Sequence, residues 1–270
     1  MKNKEIIGLA LGSGGFRGFA HLGVIQTLEK HGIPIHMVSG ASIGSWVAAH
    51  YALHRDMIKM EKEITENPRE KLPILFDLSW RGGFVNGDKF EKFLKKDLGS
   101  NDISQTPTPL FVVATDLASG EEVVFEKGKI SSIVRASCAV PLVFKPVEYQ
   151  KRLFVDGGLS NPVPCDILKK KGATLVIGVN LYHQNEFVNK KFTMTKVVLR
   201  SGRIALHNLA NNSCKFADIV ISPDLSEFVN SVKLKKYFDP ETIEKIIQIG
   251  VRSTEKVIPK IKAALKKHEI

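Results

Sequence analysis

A chain of 270 residues, 43% hydrophobic and 25% charged, can bury a sizeable core in one large α/β domain or two small ones, which excludes a disordered or fibrous chain. Lys and Arg number 39 against 28 Asp and Glu, a formal charge of +11 that suits anionic surfaces. Cys138, Cys165 and Cys214 stand in dissimilar contexts without CxxC spacing, which argues against a disulfide framework or zinc site and fits a reducing compartment.

The first apolar run, residues 6–11, is broken by Gly8 and too short for a signal-peptide core, and no window approaches the roughly 18 apolar residues of a membrane span. The expected location is cytoplasmic, with peripheral contact at a membrane surface. In chain order, residues 6–11 (IIGLAL) predict a buried strand and residues 19–30 a helix that stops at His31-Gly32, where glycine takes the left-handed cap. Residues 35–38 predict a short strand and 42–53 a helix. The stretch 55–109, poor in strand signal, predicts a helical insertion and a candidate cap. Strands are expected at 110–115 and 121–126, a helix at 130–139, a short strand at 153–155 and a helical turn at 166–171. Buried strands follow at 174–180 and 218–222. Residues 240–267 predict a long amphipathic helix, broken near Pro259. Strands alternating with helices predict a three-layer α/β/α fold with a mostly parallel sheet.

Three stretches carry chemistry. Gly40-Ala41-Ser42-Ile43-Gly44 lies between a strand and a helix, the setting of a nucleophile elbow; the helix that starts there aims free amides and a positive dipole end at Ser42. Gly12-Ser13-Gly14-Gly15-Phe16-Arg17-Gly18 also joins a strand to a helix. A dinucleotide fingerprint needs glycine where Arg17 stands and an acidic residue about 20 positions later, and a P-loop needs Gly-Lys-Ser/Thr. Neither condition holds, which leaves an oxyanion hole made by the amides of Gly14 and Gly15, or a tight turn. Asp156-Gly157-Gly158 follows a short strand and points an aspartate at the carboxyl edge of the sheet, where open α/β sheets bind ligands.

Together the three motifs resemble the patatin-like phospholipase family. Gly12, Gly14, Gly15, Arg17 and Gly18 match its oxyanion loop, Gly40, Ser42 and Gly44 its elbow, and Asp156, Gly157 and Gly158 its aspartate motif. Residues 136–147, 161–164 and 82–87 resemble further family segments. The resemblance covers roughly residues 5–180 and implies one patatin-like catalytic domain over 1–270, with 181–270 supplying a closing strand and C-terminal helices. It implies a Ser–Asp dyad: Ser42 attacks an acyl carbonyl, Asp156 takes the proton, and the amides of Gly14, Gly15 and Ile43 bind the oxyanion. The expected substrates are phospholipid, lysophospholipid or another acyl-ester lipid. No metal or organic cofactor is implied.

A Ser-His-Asp triad remains the rival mechanism, with His183 at a strand end as its only plausible histidine. His207 reads as structural, His21 as a packing or hydrogen-bonding group, and His31 and His36 as flanks of a turn. A catalytically quiet lipid-binding protein with the same fold is the rival function. Lys92, Lys95 and Lys96, or Lys233, Lys235 and Lys236 beside Tyr237-Phe238, suit anionic headgroups. Lys256, Lys260, Lys262, Lys266 and Lys267 lie on the polar side of the last helix, whose apolar stripe is expected to pack on the sheet. Nucleic acid is not expected, because no recognition module accompanies the charge.

Overall fold

The computed structural model describes residues 5–66, 87–182, 193–229 and 239–268. The elements that build the site are β1 (Ile7–Leu11), α1 (Ala20–Lys30), β2 (Met37–Ala41), α2 (Ile43–His54), α3 (Met57–Thr65), α4 (Asp88–Leu98), β3 (Leu110–Asp116), β4 (Glu122–Phe125), α5 (Ile130–Ser137), β5 (Val147–Tyr149) and β6 (Arg152–Val155). Then come α6 (Cys165–Lys170), β7 (Leu175–Val179), α7 (Met194–Ser213), β8 (Ile219–Ile221), α8 (Pro240–Glu255) and α9 (Ile258–His268). The break between α8 and α9 falls just before Pro259, as the sequence predicts.

The strands form one sheet in the order β5-β6-β3-β2-β1-β7-β8, with β4 also paired to β3. Strands β3, β2, β1, β7 and β8 run parallel, whereas β4 and β6 run antiparallel to β3. The parallel strands are buried on both faces, which is why they read as unbroken apolar runs. Leu9, Leu11, Val112 and Ile177 share one core with α1, α2 and α8. Ala10, Phe111, Val113 and Val176 share the other with α6 and α7.

From β1 the chain winds outward through β2 to β3 on one side, and later through β7 to β8 on the other. The order therefore reverses at β1, the position at which doubly wound sheets open a crevice beyond the strand ends. The glycine loop leaves β1 at that crevice, and the serine elbow leaves β2 beside it.

Two expectations need correction. The strand before Asp156 is antiparallel to β3, so it enters from beyond the carboxyl ends of the parallel strands rather than running out to them, and it still leaves Asp156 beside the end of β2. The apolar stripe of the last helices is buried, as expected, through Ile243, Ile246, Ile247, Ile258 and Ile261. However, α8 packs against α1 rather than on the sheet. Gly23 and Gly250 sit at the crossing, where an added Cβ would run into Ile247 O and Ala20 O respectively. Small residues there let the two backbones touch, and Lys30 and His31 close the far end through Glu255. The 82–86 loop and Lys233 to Phe238 lie outside the described residues.

Candidate active site

Ser42 stands between β2 and α2 with φ 54 and ψ −129. Few residues other than glycine occupy that region, and doing so costs about 1–3 kcal/mol of backbone strain. The flanking glycines explain how the turn closes. A Cβ on Gly40 would lie 2.5 Å from Gly44 O, and one on Gly44 would strike Leu11 O. The elbow therefore presses directly on the end of β1.

The Ser42 hydroxyl donates to Asp156 Oδ2 at 2.5 Å. The other carboxylate oxygen, Oδ1, accepts the Gly158 amide at 2.8 Å. Sheet register brings the two residues together. Ala41 is level with Val113, and Thr115 with Val155, so the antiparallel β6 delivers Asp156 next to the end of β2. Gly157 lies so close to Val113 O that no side chain would fit. Thr115 Oγ1 donates to Asp156 O at 2.8 Å, and the Asp156 amide donates to Ala139 O at 3.0 Å. The Ser42 amide donates to Ser137 Oγ at 2.9 Å. Ser42 and Asp156 are both buried, at 4% and 6% exposure.

Burial pushes the Asp156 carboxyl up to about 6, against the opposing pull of its bonds from Ser42 and Gly158. It is ionised at neutral pH yet more basic than an exposed aspartate, which favours proton transfer from a hydroxyl.

The glycine loop faces the same point. Gly15 has φ 59 and open space where a side chain would stand, and it borders the cleft beside Ser42. Gly14 and Gly15 begin a 3-10 turn and Ile43 begins α2. The first amides of a helical turn lack acceptors within it, so all three N–H groups belong to the class that binds an oxyanion. Arg17 braces the loop by donating from Nε to Gly14 O at 3.1 Å, with its guanidinium 5.1 Å from the centre of the Tyr182 ring. Gly18 packs on Ile43, leaving no room for a Cβ. Ser13 Oγ and the Tyr182 hydroxyl are hydrogen-bonded at 2.9 Å behind the loop.

The histidines divide plainly. His21 is fully buried, and its Nε2–H donates to Gly12 O at 2.8 Å, so it holds the loop rather than the serine. Burial lowers its pKa to about 4. His31 pairs with Glu255, His36 Nδ1 accepts the Ile7 amide, and His207 bonds Asn211. Among the described residues no histidine bonds to Ser42 or Asp156. His183 lies outside them.

From Ser42 an apolar cleft runs between Phe16, Phe19, Ile43, Trp46, Phe90 and Phe144. Phe90 and Phe144 stack at 5.6 Å. Sequence reading missed this lining, and also Ser137, Thr115 and Tyr182. Ser137 and Phe144 lie in the 136–147 stretch that resembled the family, but nothing local marked their roles.

The family model for patatin-like phospholipases matches residues 9–169, a span holding all three motifs. An uncharacterised NTE family protein of Mycobacterium tuberculosis is 37% identical over 177 residues, 65% of this chain and 49% of that protein. Lysophospholipase NTE1 of Meyerozyma guilliermondii is 32% identical over 183 residues, 66% of this chain and 13% of that one. The chain thus spans about half the length of the mycobacterial relative and a small part of the yeast one. Among solved structures, VipD from Legionella pneumophila superposes with a TM-score of 0.60 at 16% identity, over 95% of this chain and 67% of that one. Human GIVD cytosolic phospholipase A2 does so with a TM-score of 0.55 at 13% identity, over 98% and 59%. The fold is therefore shared with these proteins, and the chain belongs to the patatin-like phospholipase family.

Proposed function

We propose that the chain is a serine acyl hydrolase acting on lipid esters of the phospholipid or lysophospholipid class through a Ser42–Asp156 dyad. The observation that carries this reading is the direct Ser42–Asp156 hydrogen bond at a strained strand-to-helix turn. Ser42 Oγ attacks the acyl carbonyl carbon while its proton passes to Asp156 Oδ2. The amides of Gly14, Gly15 and Ile43 stabilise the developing oxyanion in a dry site, where such bonds count most. Collapse of the tetrahedral intermediate expels the alcohol, which leaves with the proton held on Asp156. Water then attacks the acyl-serine, giving its proton to Asp156, and Ser42 recovers a proton as the fatty acid departs.

The apolar lining of the cleft and the relative named as a lysophospholipase support this substrate class. Among the described residues no helix is long and apolar enough to cross a membrane. Hydrolysis of a short-chain chromogenic ester and of lysophosphatidylcholine by wild type, Ser42→Ala and Asp156→Asn tests the reading. Both variants should fold and lose activity. Full activity in Ser42→Ala would remove the mechanism, and an inactive but lipid-binding wild type would favour the quiet binding protein.

A further inference from the structure

The outer ends of α2 and α4 hold a second cluster that the dyad does not use. His50 and His54 are one helical turn apart, so their side chains share a face. Asp97, in the last turn of α4, meets both. His50 Nδ1 lies 2.9 Å from Asp97 Oδ1, and His54 Nε2 lies 3.3 Å from the Asp97 backbone oxygen. The two rings are 4.7 Å apart, and one donor atom from each of the three residues lies within 4.8 Å of the others. The His50 ring is fully buried and the Asp97 carboxylate is 6% exposed, whereas His54 is exposed and leaves an entry path.

We propose that His50, His54 and Asp97 form a binding site for a borderline divalent cation of the zinc class, which pins α4 to α2, the helix that follows Ser42. Two imidazoles and one carboxylate select Zn(II), Co(II) or Ni(II) over Mg(II) and Ca(II), which prefer all-oxygen ligands. Water completes a tetrahedron. Ligands at the usual zinc distances stand roughly 3.3 Å apart in that geometry, so His50 Nδ1 and Asp97 Oδ1 need separate only slightly. As the metal takes the place of the proton that now bridges them, the neutral His50 ring changes tautomer and carries that proton on Nε2, where it donates to the Asp56 carbonyl.

The surroundings match what metal ligands require. Trp46 Nε1 donates to the remaining Asp97 oxygen at 2.6 Å and fixes the carboxylate. His50 Nε2 faces the Asp56 carbonyl at 3.3 Å, the second contact by which a ligating histidine is usually oriented. Lys59, Lys89, Lys92 and Lys96, with Glu63, line a groove beside Asp97. Their positive charge moderates the affinity of the site for a cation.

The test is a titration of the chelator-stripped full chain with Co(II), followed by competition with Zn(II) and by thermal unfolding with and without zinc. Wild type should bind one Co(II) with the intense visible bands of a tetrahedral centre, lose them to Zn(II), and gain Tm with zinc. His54→Ala changes an exposed side chain and should keep its circular dichroism, bind Co(II) on the order of tenfold more weakly or worse, and lose the zinc-dependent gain. A wild type without a tetrahedral spectrum would overturn the proposal. So would a His54→Ala variant that binds as tightly as wild type, leaving the cluster a hydrogen-bonded clamp. Neither readout depends on ester hydrolysis.

Discussion

Gly44 lies flush against the carbonyl of Leu11, the last residue of β1. The contact joins the serine elbow to the strand that launches the glycine loop, so the two halves of the site share one fixed separation. A methyl group at Gly44 would have to move that strand end or the first turn of α2. Gly44→Ala should therefore destabilise the protein by roughly 3 kcal/mol, the upper end of what most single substitutions cost, and abolish hydrolysis. Urea unfolding and ester turnover measure both.

Ser42 holds a backbone conformation that only glycine adopts without strain. Ser42→Gly should be inactive yet about 1 kcal/mol more stable than Ser42→Ala, which keeps the Cβ and its strain. A comparison of the two unfolding midpoints isolates the strain from the loss of the Asp156 hydrogen bond, since both variants lack the hydroxyl.

The pH dependence has two opposed components. Asp156 is raised from 3.8 to about 6 by burial, so its neutral form favours the fold. That contribution is complete below pH 3.8 and is lost as pH rises through 6. Asp156→Asn should thus gain up to about 3 kcal/mol near pH 7 while losing catalysis. His21, lowered from 6.5 to about 4, works the other way: its contribution is present above 6.5 and lost as pH falls through 4. Asp156→Asn should accordingly show a steeper acid loss than wild type between pH 6.5 and 4, and a further His21→Asn change should flatten it. The kcat/KM of wild type should rise through pH about 6 as Asp156 ionises. Calorimetry across pH and initial-rate profiles check these slopes.

Phe144 forms one wall of the cleft, stacked on Phe90 from the α4 side. Phe144→Ala should raise KM for longer acyl esters, a loss of about 1–3 kcal/mol in kcat/KM discrimination between chain lengths, while short-chain turnover changes little. A series of p-nitrophenyl esters of increasing length reads this directly.

The site was legible in the sequence wherever chemistry forces a residue type. Gly40, Gly44, Gly157 and Gly18 stand where a Cβ would collide with backbone or with Ile43, and Ser42 and Asp156 are the hydrogen-bonded pair at the centre of the candidate site, so each left a local mark. The parallel strands were legible because burial on both faces makes them continuous apolar runs. The direction of β6 was not, because a four-residue strand looks alike parallel or antiparallel. Strand β5 was missed because it is three residues at the sheet edge, with Val147 and Tyr149 half-buried and Glu148 exposed. Packing of α8 on α1 depended on Gly23 and Gly250, which are 227 positions apart in sequence and read separately as ordinary helical glycines. The contacts from Ser137 to Ser42 and from Asp97 to Trp46 and His50 were equally hidden, since only folding brings them together. The spacing of His50 and His54 was visible, but its partner on α4 was not.

The measurement that bears most directly on the Ser42–Asp156 dyad is fluorophosphonate labelling followed by peptide mass spectrometry, in wild type, Ser42→Ala and Asp156→Asn. The expected result is a single adduct on Ser42 in wild type, none in Ser42→Ala, and labelling slowed on the order of 10²–10⁴-fold in Asp156→Asn, the range attributed to a positioned general base. Labelling of a different residue, or an Asp156→Asn variant that labels at the wild-type rate, would contradict it.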